Sequence, residues 1–341
     1  MNAFFLDKPQ LLSGRNIPVP EPGPGEVRVK MAQVGVCGSD VHLFLGHRSL
    51  SRPTVIGHEG YGFIDKLGAG VTHRTIDERV VIEPNIPCMN CRFCFTGKAH
   101  ICPNKRVIGL TENGCFAEYV CLPSAFCWAV PDEIDAANAV CIEPMAVSVH
   151  ALFLSSARPG DTIAVVGLGA IGLLLTHLAL RLGYRVLVSE ISETKLQKAM
   201  REGAITAQGD AITLNAIWEA HEVVAVFECA GSAGAASLVA GAAPRGSEIV
   251  LLGLSEKPAQ FTPLKIAREG ITIIPSLIYQ HPTDFRRTIE LIRRKQITPA
   301  TIISGYYPLA DIQAAFERAA TGEERKLIID LTDQTKSLVN A

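Results

Sequence analysis

Four cysteines lie close together in one polar segment of the chain, with the spacing C-x2-C-x2-C-x7-C. They are Cys88, Cys91, Cys94 and Cys102. Four thiolates can complete a tetrahedral shell around Zn²⁺, and a closed shell leaves no position for water or substrate, so such a site is structural. The many polar neighbours make four unrelated core cysteines a poor explanation. The spacing alone also permits an iron–sulfur cluster.

Further candidate metal ligands are dispersed over three segments. Cys37 offers a thiolate, the pair His58 and Glu59 offers an imidazole and a carboxylate, and Glu143 is an acid in an otherwise apolar stretch. An unpaired buried carboxylate is costly, and a metal ion would be a suitable partner for Glu143. Single cysteines are more often core residues and single histidines more often surface residues. The spacing does not establish that these segments converge.

A glycine-rich turn follows an apolar, β-branched run at Thr162–Val166. Its residues are Gly167, Leu168, Gly169, Ala170, Ile171 and Gly172, which fit the pattern G-x-G-x-x-G. Between a strand and a helix, this pattern is typical of dinucleotide binding: the glycines permit a tight turn, close approach of a pyrophosphate, and close packing of helix on strand. Glu190 closes the next strand, where a carboxylate accepts ribose hydroxyls and repels a 2′-phosphate. The sequence therefore favours NAD over NADP. The alternative is a tight turn without a ligand.

The order of apolar patterns predicts the elements that carry these residues. The first 150 residues are rich in Gly, Pro and short β-like runs, whereas strands and helices alternate from about residue 160, which predicts a doubly wound parallel sheet. After residue 282 we expect two amphipathic helices and a final strand at 326–331. The polar tail after Thr332 is expected to fray. The predicted fold class is α/β.

Composition limits the range of partners. The chain has 341 residues, a net charge of -2 and no basic run, which argues against a nucleic acid partner and favours a small molecule. The N-terminus does not resemble a signal peptide, so we expect a cytoplasmic protein whose ten cysteines are metal ligands or core residues. The uncharged stretch 162–180 approaches membrane-spanning length, but its three glycines favour the dinucleotide turn, and no membrane partner is expected.

Together these residues resemble the zinc-dependent medium-chain alcohol and polyol dehydrogenases over essentially the full chain. The motifs that carry the resemblance are Gly57-His58-Glu59-x-x-Gly62 with Gly68 and Val71, the four-cysteine loop, Gly114–Tyr119 and the Gly167–Gly172 turn. The resemblance implies a GroES-like, β-rich catalytic domain at 1–149 and 283–341, with a structural zinc lobe at about 86–103. A Rossmann NAD-binding domain would occupy 150–282, and the active site would lie in the cleft between the domains.

Carried over residue by residue, Cys37 and His58 would be ligands of a catalytic zinc. Glu143 takes the place of a second cysteine, as in the sorbitol, threonine and L-idonate dehydrogenase branch, where Glu59 can also be a direct ligand; both acids remain candidates. Asp40 would orient the His58 ring.

The resemblance also implies residues that act on the proton and on the cofactor. Ser39 and His42 would pass the alcohol proton to solvent, and Gly253 and Leu277 would flank the nicotinamide. The implied cofactors are two zinc ions, one catalytic and one structural, and NAD.

The implied reaction moves a hydride from a secondary alcohol (a polyol, sugar alcohol or sugar acid) to NAD, and it is reversible. Close alternatives are an L-threonine 3-dehydrogenase-like enzyme and a general alcohol dehydrogenase. An NADP-dependent quinone-type reductase fits poorly, because Glu190 and the candidate zinc ligands are present. A rival of another class is a non-catalytic dinucleotide-binding structural or regulatory protein. We expect a homo-oligomer, a tetramer or a dimer, joined through apolar sheet edges at Ile249–Leu252 and Ile271–Ile274.

Overall fold

The structure, a computed structural model, describes residues 1–332. These residues form two compact units, one of Met1–Glu143 with the chain from Ala300 onward, and one of Pro144–Pro299. The predicted domain limits at 149/150 and 282/283 remain a prediction. The helix at Thr283–Arg293, which that prediction assigned to the catalytic domain, lies in the second unit. The polar tail beyond Thr332 lies outside the described residues.

The N-terminal part of the first unit is built mainly from strands. They are β1 (Asn2–Lys8), β2 (Leu11–Asn16), β3 (Glu26–Gly35), β4 (Thr54–Val55), β5 (Glu59–Leu67), β6 (Arg79–Ile82), β7 (Asn85–Ile86), β8 (Arg106–Val107), β9 (Tyr119–Pro123) and β10 (Cys127–Ala129). Three short helices accompany them, α1 (Gly38–Phe44), α2 (Arg92–Phe95) and α3 (Ala136–Ala139), with 3-10 turns at Ala99–Ile101 and Ser124–Phe126.

The second unit alternates helices and strands. Its helices are α4, which begins in the last residues of the first unit (Ile142–Leu154), α5 (Ala170–Arg181), α6 (Glu193–Glu202), α7 (Ala211–Ala220), α8 (Ala233–Ala242), α9 (Pro263–Glu269) and α10 (Thr283–Arg293). Its strands are β11 (Thr162–Val166), β12 (Arg185–Ser189), β13 (Ile205–Thr206), β14 (Val223–Glu228), β15 (Glu248–Leu251) and β16 (Thr272–Pro275). The chain then returns to the first unit with β17 (Ile303–Pro308), α11 (Ile312–Ala320) and β18 (Lys326–Asp330), and 3-10 turns at Pro299–Ile302 and Leu309–Asp311.

A seven-stranded sheet organises the first unit. Its strand order is β10-β6-β5-β3-β18-β17, and β9 also pairs with β3. Strand β3 alternates between buried and more exposed residues over its first half, with Val27, Val29 and Met31 buried. It pairs antiparallel with β5 on one side and with the C-terminal strand β18 on the other. The last strand of the described residues therefore lies beside the strand that leads to Cys37.

The second unit contains a six-stranded sheet that is parallel throughout, in the order β13-β12-β11-β14-β15-β16. All five residues of β11 are buried, as expected for a central strand covered on both faces. The stretch 162–180 thus folds as β11, a turn and part of α5, and among the described residues no helix is long and apolar enough to cross a membrane. These observations confirm the predicted α/β class.

The expected sheet edges need one correction. The segment Ile249–Leu252 is not an edge, because β15 pairs with β14 on one side and β16 on the other. The backbone of β15 is therefore paired on both sides and is not open to a partner. Only β16 of the two proposed segments lies at the outside of the sheet.

Candidate active site

Two segments that are far apart in sequence meet at the ends of β3 and β5. Cys37 follows β3 and directly precedes helix α1. Gly57 turns the chain with φ +90° into His58 and then Glu59, the first residue of β5. The register pairs Gly35 with Glu59 across the two strands. Because of this pairing, the residue after β3 and the residues that open β5 lie at the same end of the sheet.

The side chains of Cys37, His58 and Glu59 converge. One ligand atom from each lies within 4.8 Å of the others, with His58 and Glu59 buried and Cys37 half-buried. A thiolate, an imidazole and a carboxylate are zinc donors, and three protein donors leave a position for substrate in a four-coordinate site. The site is therefore chemically suited to a catalytic rather than a structural metal ion.

Asp40 connects the segment that contains Cys37 with the segment that contains Gly57. It is fully buried, and its carboxylate accepts hydrogen bonds from the backbone N–H groups of Cys37 at 3.1 Å and Gly57 at 3.3 Å. Its Oδ1 also lies 3.4 Å from Nδ1 of His58, which makes no hydrogen bond within the described residues. This arrangement faces Nδ1 towards an acid, as the sequence led us to expect, and orients the ring for ligation through Nε2.

The electrostatics of the site favour a cation. Burial lowers the pKa of His58, but the charges of Asp40 and Cys37 raise it more, so that its pKa lies well above the usual value. The same negative charges that would hold a proton on the ring would hold a metal ion there, because protons and metals compete for these donors. The residues present thus fit a zinc ion.

Lys326 also belongs to this site, although no sequence motif identifies it. It lies on β18, is buried, and its Nζ donates to Oε1 and Oε2 of Glu59 at 2.6 and 2.7 Å and to the carbonyl of Val36 at 3.1 Å. A lysine that opens an apolar strand, Lys326-Leu327-Ile328-Ile329, was the only available signal. Its partner lies 267 positions earlier in the chain, and no local pattern identifies such a contact.

The other proposed catalytic residues lie in two places. Glu143 is buried in the first turn of α4, but it is not one of the three residues whose donor atoms converge. Ser39 and His42 lie three residues apart on α1, on neighbouring positions of one helix face. His42 is exposed, and its Nδ1 lies 3.1 Å from Nδ1 of His47. A proton that reaches His42 would therefore be next to solvent.

The four-cysteine segment forms a second compact cluster. The Sγ–Sγ distances are 3.5 Å for Cys91–Cys94, 3.8 Å for Cys91–Cys102 and 3.4 Å for Cys88–Cys102. These distances are close to about 3.8 Å, the edge of a tetrahedron with Zn–S bonds of about 2.3 Å. A backbone hydrogen bond from Asn90 lowers the pKa of Cys88 to about 6, whereas burial and thiol neighbours raise that of Cys94 to about 11. A bound cation would allow all four thiols to ionise together.

The glycine turn of the second unit has the geometry that a dinucleotide requires. Gly167 has φ +92°, and a Cβ there would lie 2.6 Å from the backbone of Ala230. A Cβ on Gly172 would lie 1.9 Å from the carbonyl of Gly167, so this glycine permits the helix to pack on the turn. By contrast, a Cβ on Gly169 would meet no atom within 4 Å. The second glycine thus leaves open space at the N-terminus of α5, where a pyrophosphate can bind.

Glu190 lies beside this turn. Its Oε2 accepts a hydrogen bond of 2.6 Å from the backbone N–H of Leu168, and its Oε1 accepts from Ile191 and Ser192 at 2.8 and 3.0 Å. The carboxylate is therefore fixed at the end of β12, next to the second residue of the glycine pattern. This is the position from which an acid can select the ribose of NAD.

Glu228 organises the opposite wall of the turn. It ends β14 and is buried, and its Oε1 accepts from the N–H groups of Ala230 and Gly231, both at 2.9 Å. Burial raises the pKa of Glu228, although these backbone bonds oppose the rise. Gly253, which follows β15, approaches so closely that a Cβ would lie 2.3 Å from Oε2 of Glu228. Leu277 follows β16 at the same carboxyl edge of the sheet.

Comparisons with known proteins agree with this geometry. A family profile for the alcohol dehydrogenase GroES-like domain matches residues 23–132, and a profile for zinc-binding dehydrogenases matches residues 170–294. The sorbitol dehydrogenase of Halalkalibacterium halodurans is 30% identical, over 93% of this chain and 94% of that protein.

Two solved structures extend the likeness to the whole fold. An alcohol dehydrogenase (rspB) from Escherichia coli, solved with NADH, is 27% identical with a TM-score of 0.91, covering 97% of this chain and 99% of its own. Galactitol-1-phosphate dehydrogenase from Escherichia coli is 26% identical with a TM-score of 0.90, covering 97% of this chain and 100% of its own. The chain therefore belongs to the zinc-dependent medium-chain alcohol dehydrogenase family and is an alcohol oxidoreductase that uses zinc and a nicotinamide dinucleotide.

Proposed function

We propose that the protein oxidises a secondary hydroxyl group of a polyol, sugar alcohol or sugar acid to the ketone, and reduces NAD, in a reversible reaction. The observation that carries this proposal is the buried convergence of Cys37, His58 and Glu59, which forms a three-donor site with room for a substrate oxygen. Relatives named for sorbitol and galactitol 1-phosphate support a polyhydroxylated substrate.

In this proposal Cys37, His58 and one acid, Glu59 or Glu143, hold the catalytic zinc. Zinc would supply a Lewis acid that makes the substrate hydroxyl more acidic, and NAD would accept the hydride. Asp40 faces Nδ1 of the His58 ring and accepts a hydrogen bond from the backbone N–H of Cys37. Ser39 Oγ would accept the hydroxyl proton while it releases its own, and His42, exposed on the same helix, would deliver a proton to solvent. The substrate thus loses one proton and one hydride and becomes a ketone.

The second unit holds the cofactor. The open side of Gly169 at the start of α5 receives the pyrophosphate, and Glu190 selects an unphosphorylated ribose. Gly253 and Leu277 flank the nicotinamide in this arrangement. Cys88, Cys91, Cys94 and Cys102 hold a second, structural zinc. We also propose that the protein acts as a homo-oligomer.

The proposal is tested by measuring metal content together with NAD-linked turnover on polyols, sugar acids, threonine and simple alcohols. We expect about two zinc ions per chain and turnover on the polyhydroxylated substrates. Cys37→Ser should abolish turnover and leave the structural zinc in place. Cys121→Ser, a half-buried cysteine outside both clusters, is the matched control and should change neither quantity.

Other outcomes have defined meanings. Turnover mainly on threonine would move the substrate to a hydroxy-amino acid, and turnover mainly on simple alcohols would point to a general alcohol dehydrogenase. One zinc per chain with no turnover on any substrate would contradict the proposal. Only the cysteine cluster would then bind metal, and the protein would be a dinucleotide-binding scaffold.

A further inference from the structure

Glu59 forms a buried pair with Lys326 in the first unit, and the mechanism given above assigns no role to Lys326. The two side chains are 1% and 2% exposed, and both carboxylate oxygens accept a hydrogen bond from the same ammonium group. The third hydrogen atom of Nζ is donated to the carbonyl of Val36, so all three N–H donors of the ammonium group have an acceptor. The lysine is therefore held in one position.

The backbone is arranged to bring the two charges together. Ile328 of β18 and Glu59 of β5 both pair with Gly35 of β3, so the three residues lie in one row across the sheet. Lys326 precedes Ile328 by two residues and lies on the same face of the sheet as that row. The C-terminal strand thus delivers its cation to the acid that opens β5.

Gly35 provides the space that this position of Glu59 needs. A Cβ on Gly35 would lie 2.1 Å from Oε2 of Glu59, which is far inside contact distance. The carboxylate therefore occupies the volume that any other residue at position 35 would fill. The absence of a side chain at Gly35 and the presence of Lys326 act together to hold Glu59 against β3.

The negative charges around the metal donors are the reason why pairing Glu59 with Lys326 affects the metal site. Cys37 and Glu59 converge with His58, and Asp40 lies fully buried beneath them. Each anionic donor that binds a zinc ion reduces the positive charge available to a substrate oxygen. A carboxylate shared with a fixed ammonium is a weaker donor than a free one, because the ammonium competes for its lone pairs.

We propose that Lys326 is a positioning residue of the catalytic site: it holds Glu59 beside the metal and restrains it from becoming a full ligand. This inference rests on the proposed metal site at Cys37 and His58. It assigns to strand β18 a direct effect on the reactivity of a site built from residues 37–59.

The test replaces the catalytic zinc by Co²⁺, whose visible absorption reports the number and kind of its ligands, while zinc stays in the four-cysteine cluster. The proteins compared are the wild type, Lys326→Met, Lys326→Arg and Gly35→Ala. In Lys326→Met the released carboxylate should bind the metal. The cobalt spectrum should then shift, chelator competition should show tighter metal binding, and kcat should fall about 10- to 100-fold. Lys326→Arg keeps a cation and should lie nearer the wild type.

Gly35→Ala tests the same idea without removing the lysine. Its Cβ displaces the carboxylate from Nζ, and the cobalt spectrum should shift in the same direction as in Lys326→Met. This variant decides the question if Lys326→Met does not fold. Lys265→Met is the matched control, since it breaks a lysine–glutamate pair of 2.6 Å in the second unit and should leave the spectrum unchanged.

Two results would overturn the inference in distinguishable ways. If the wild type binds no cobalt outside the cysteine cluster, the proposed metal site itself is wrong. If the wild type binds cobalt but Lys326→Met and Gly35→Ala give the wild-type spectrum and metal affinity, the metal site stands and Lys326 is only a structural residue. In that case the two variants would lower stability equally in the metal-free and metal-loaded protein.

Discussion

At the scale of one residue, we expect Glu190 to decide which dinucleotide the protein prefers. Its carboxylate is held by the N–H of Leu168 in the glycine turn and by those of Ile191 and Ser192. In Glu190→Gln the negative charge that repels a 2′-phosphate is lost while the size is kept. We expect the ratio of kcat/KM for NADP to that for NAD to rise about tenfold, equivalent to about 1.4 kcal/mol.

The measurement is steady-state kinetics with both cofactors at a fixed substrate concentration. Glu193→Gln is the control, because Glu193 lies in the first turn of α6, where it accepts a hydrogen bond from Gln197 and removes an equal charge when replaced. An unchanged cofactor ratio in Glu190→Gln would show that selection resides elsewhere in the turn.

Single residues also mark the limit of what the sequence revealed about the site. Cys37, His58 and Glu59 could be proposed because their types match zinc chemistry and the family motif. Lys326 could not, because a buried lysine in an apolar strand has no motif, and its partner is supplied by strand pairing. The structure brings Glu59 to both the metal donors and Lys326, and this double role has no signal in residue spacing.

At the scale of elements, Glu228 fixes the loop after β14, and this loop packs against Gly167 of the dinucleotide turn. Glu228→Ala leaves the N–H groups of Ala230 and Gly231 without their acceptor. Ala230 is exposed and Gly231 is half-buried, so water can replace part of the lost acceptor. Each lost hydrogen bond costs about 1 kcal/mol, and we expect the Kd for NADH to rise about tenfold. Glu228→Gln keeps an acceptor oxygen and should bind NADH almost as well as the wild type.

NADH fluorescence titration measures this effect, and it does not depend on catalysis. The titration is best performed in the Cys37→Ser background, where turnover cannot consume the ligand. If Glu228→Ala is folded and binds NADH with the wild-type Kd, the loop is not held by this carboxylate.

His177 ties two helices of the second unit to a later segment. Its Nε2 accepts from the backbone N–H of Thr298 at 3.0 Å, so its proton lies on Nδ1 and is donated to Glu202 at 3.0 Å. Burial raises the pKa of Glu202, but the hydrogen bond from His177 opposes this rise, and the net pKa lies below the usual 4.5. A lowered carboxyl pKa stabilises the fold above the unfolded-state pKa, and this stability is lost as the pH falls through the folded-state pKa.

We therefore expect the free energy of unfolding to fall less steeply below about pH 4.5 in Glu202→Gln than in the wild type. The amide oxygen of Gln can still accept from His177, so the variant removes the titration rather than the contact. Urea unfolding at a series of pH values measures the slope. Glu256→Gln, at an exposed loop position, should retain the wild-type slope. Equal slopes in the wild type and Glu202→Gln would refute the expectation.

Strands and helices could largely be predicted where the pattern of apolar residues was strong. The buried run Thr162–Val166 is the strand β11, and the final strand was expected at 326–331 and is observed at Lys326–Asp330. The order of the strands within a sheet was harder to predict from the sequence. The segment Ile249–Leu252 would be apolar in either position. A central strand and an edge strand that pairs with a second copy both favour apolar residues, so the residue types do not distinguish them.

At the scale of the whole molecule, the chain leaves its first unit and returns to it. The return strand β18 pairs with β3 and supplies Lys326 to Glu59. Contacts between residues so far apart carry no periodicity, and only the family resemblance anticipated that the C-terminal segment completes the catalytic unit. The family motifs were therefore more informative about chain organisation than composition was.

The exposed edge of the parallel sheet leads to a prediction about assembly. Strand β16 pairs only with β15 among the described residues, and Ile273 is 39% exposed on it. An apolar edge strand is a template for pairing with a second copy, and a charged side chain there opposes such pairing. We expect Ile273→Lys to have a smaller mass than the proposed wild-type homo-oligomer in size-exclusion chromatography with light scattering, with the Kd for NADH unchanged. Ile205→Lys is the matched control, because Ile205 is similarly exposed, at 40%, on β13 at the opposite edge of the same sheet. Its two-residue strand is too short to support extended pairing, so this variant should keep the wild-type mass. Dissociation by Ile205→Lys but not by Ile273→Lys would place the contact at the other edge.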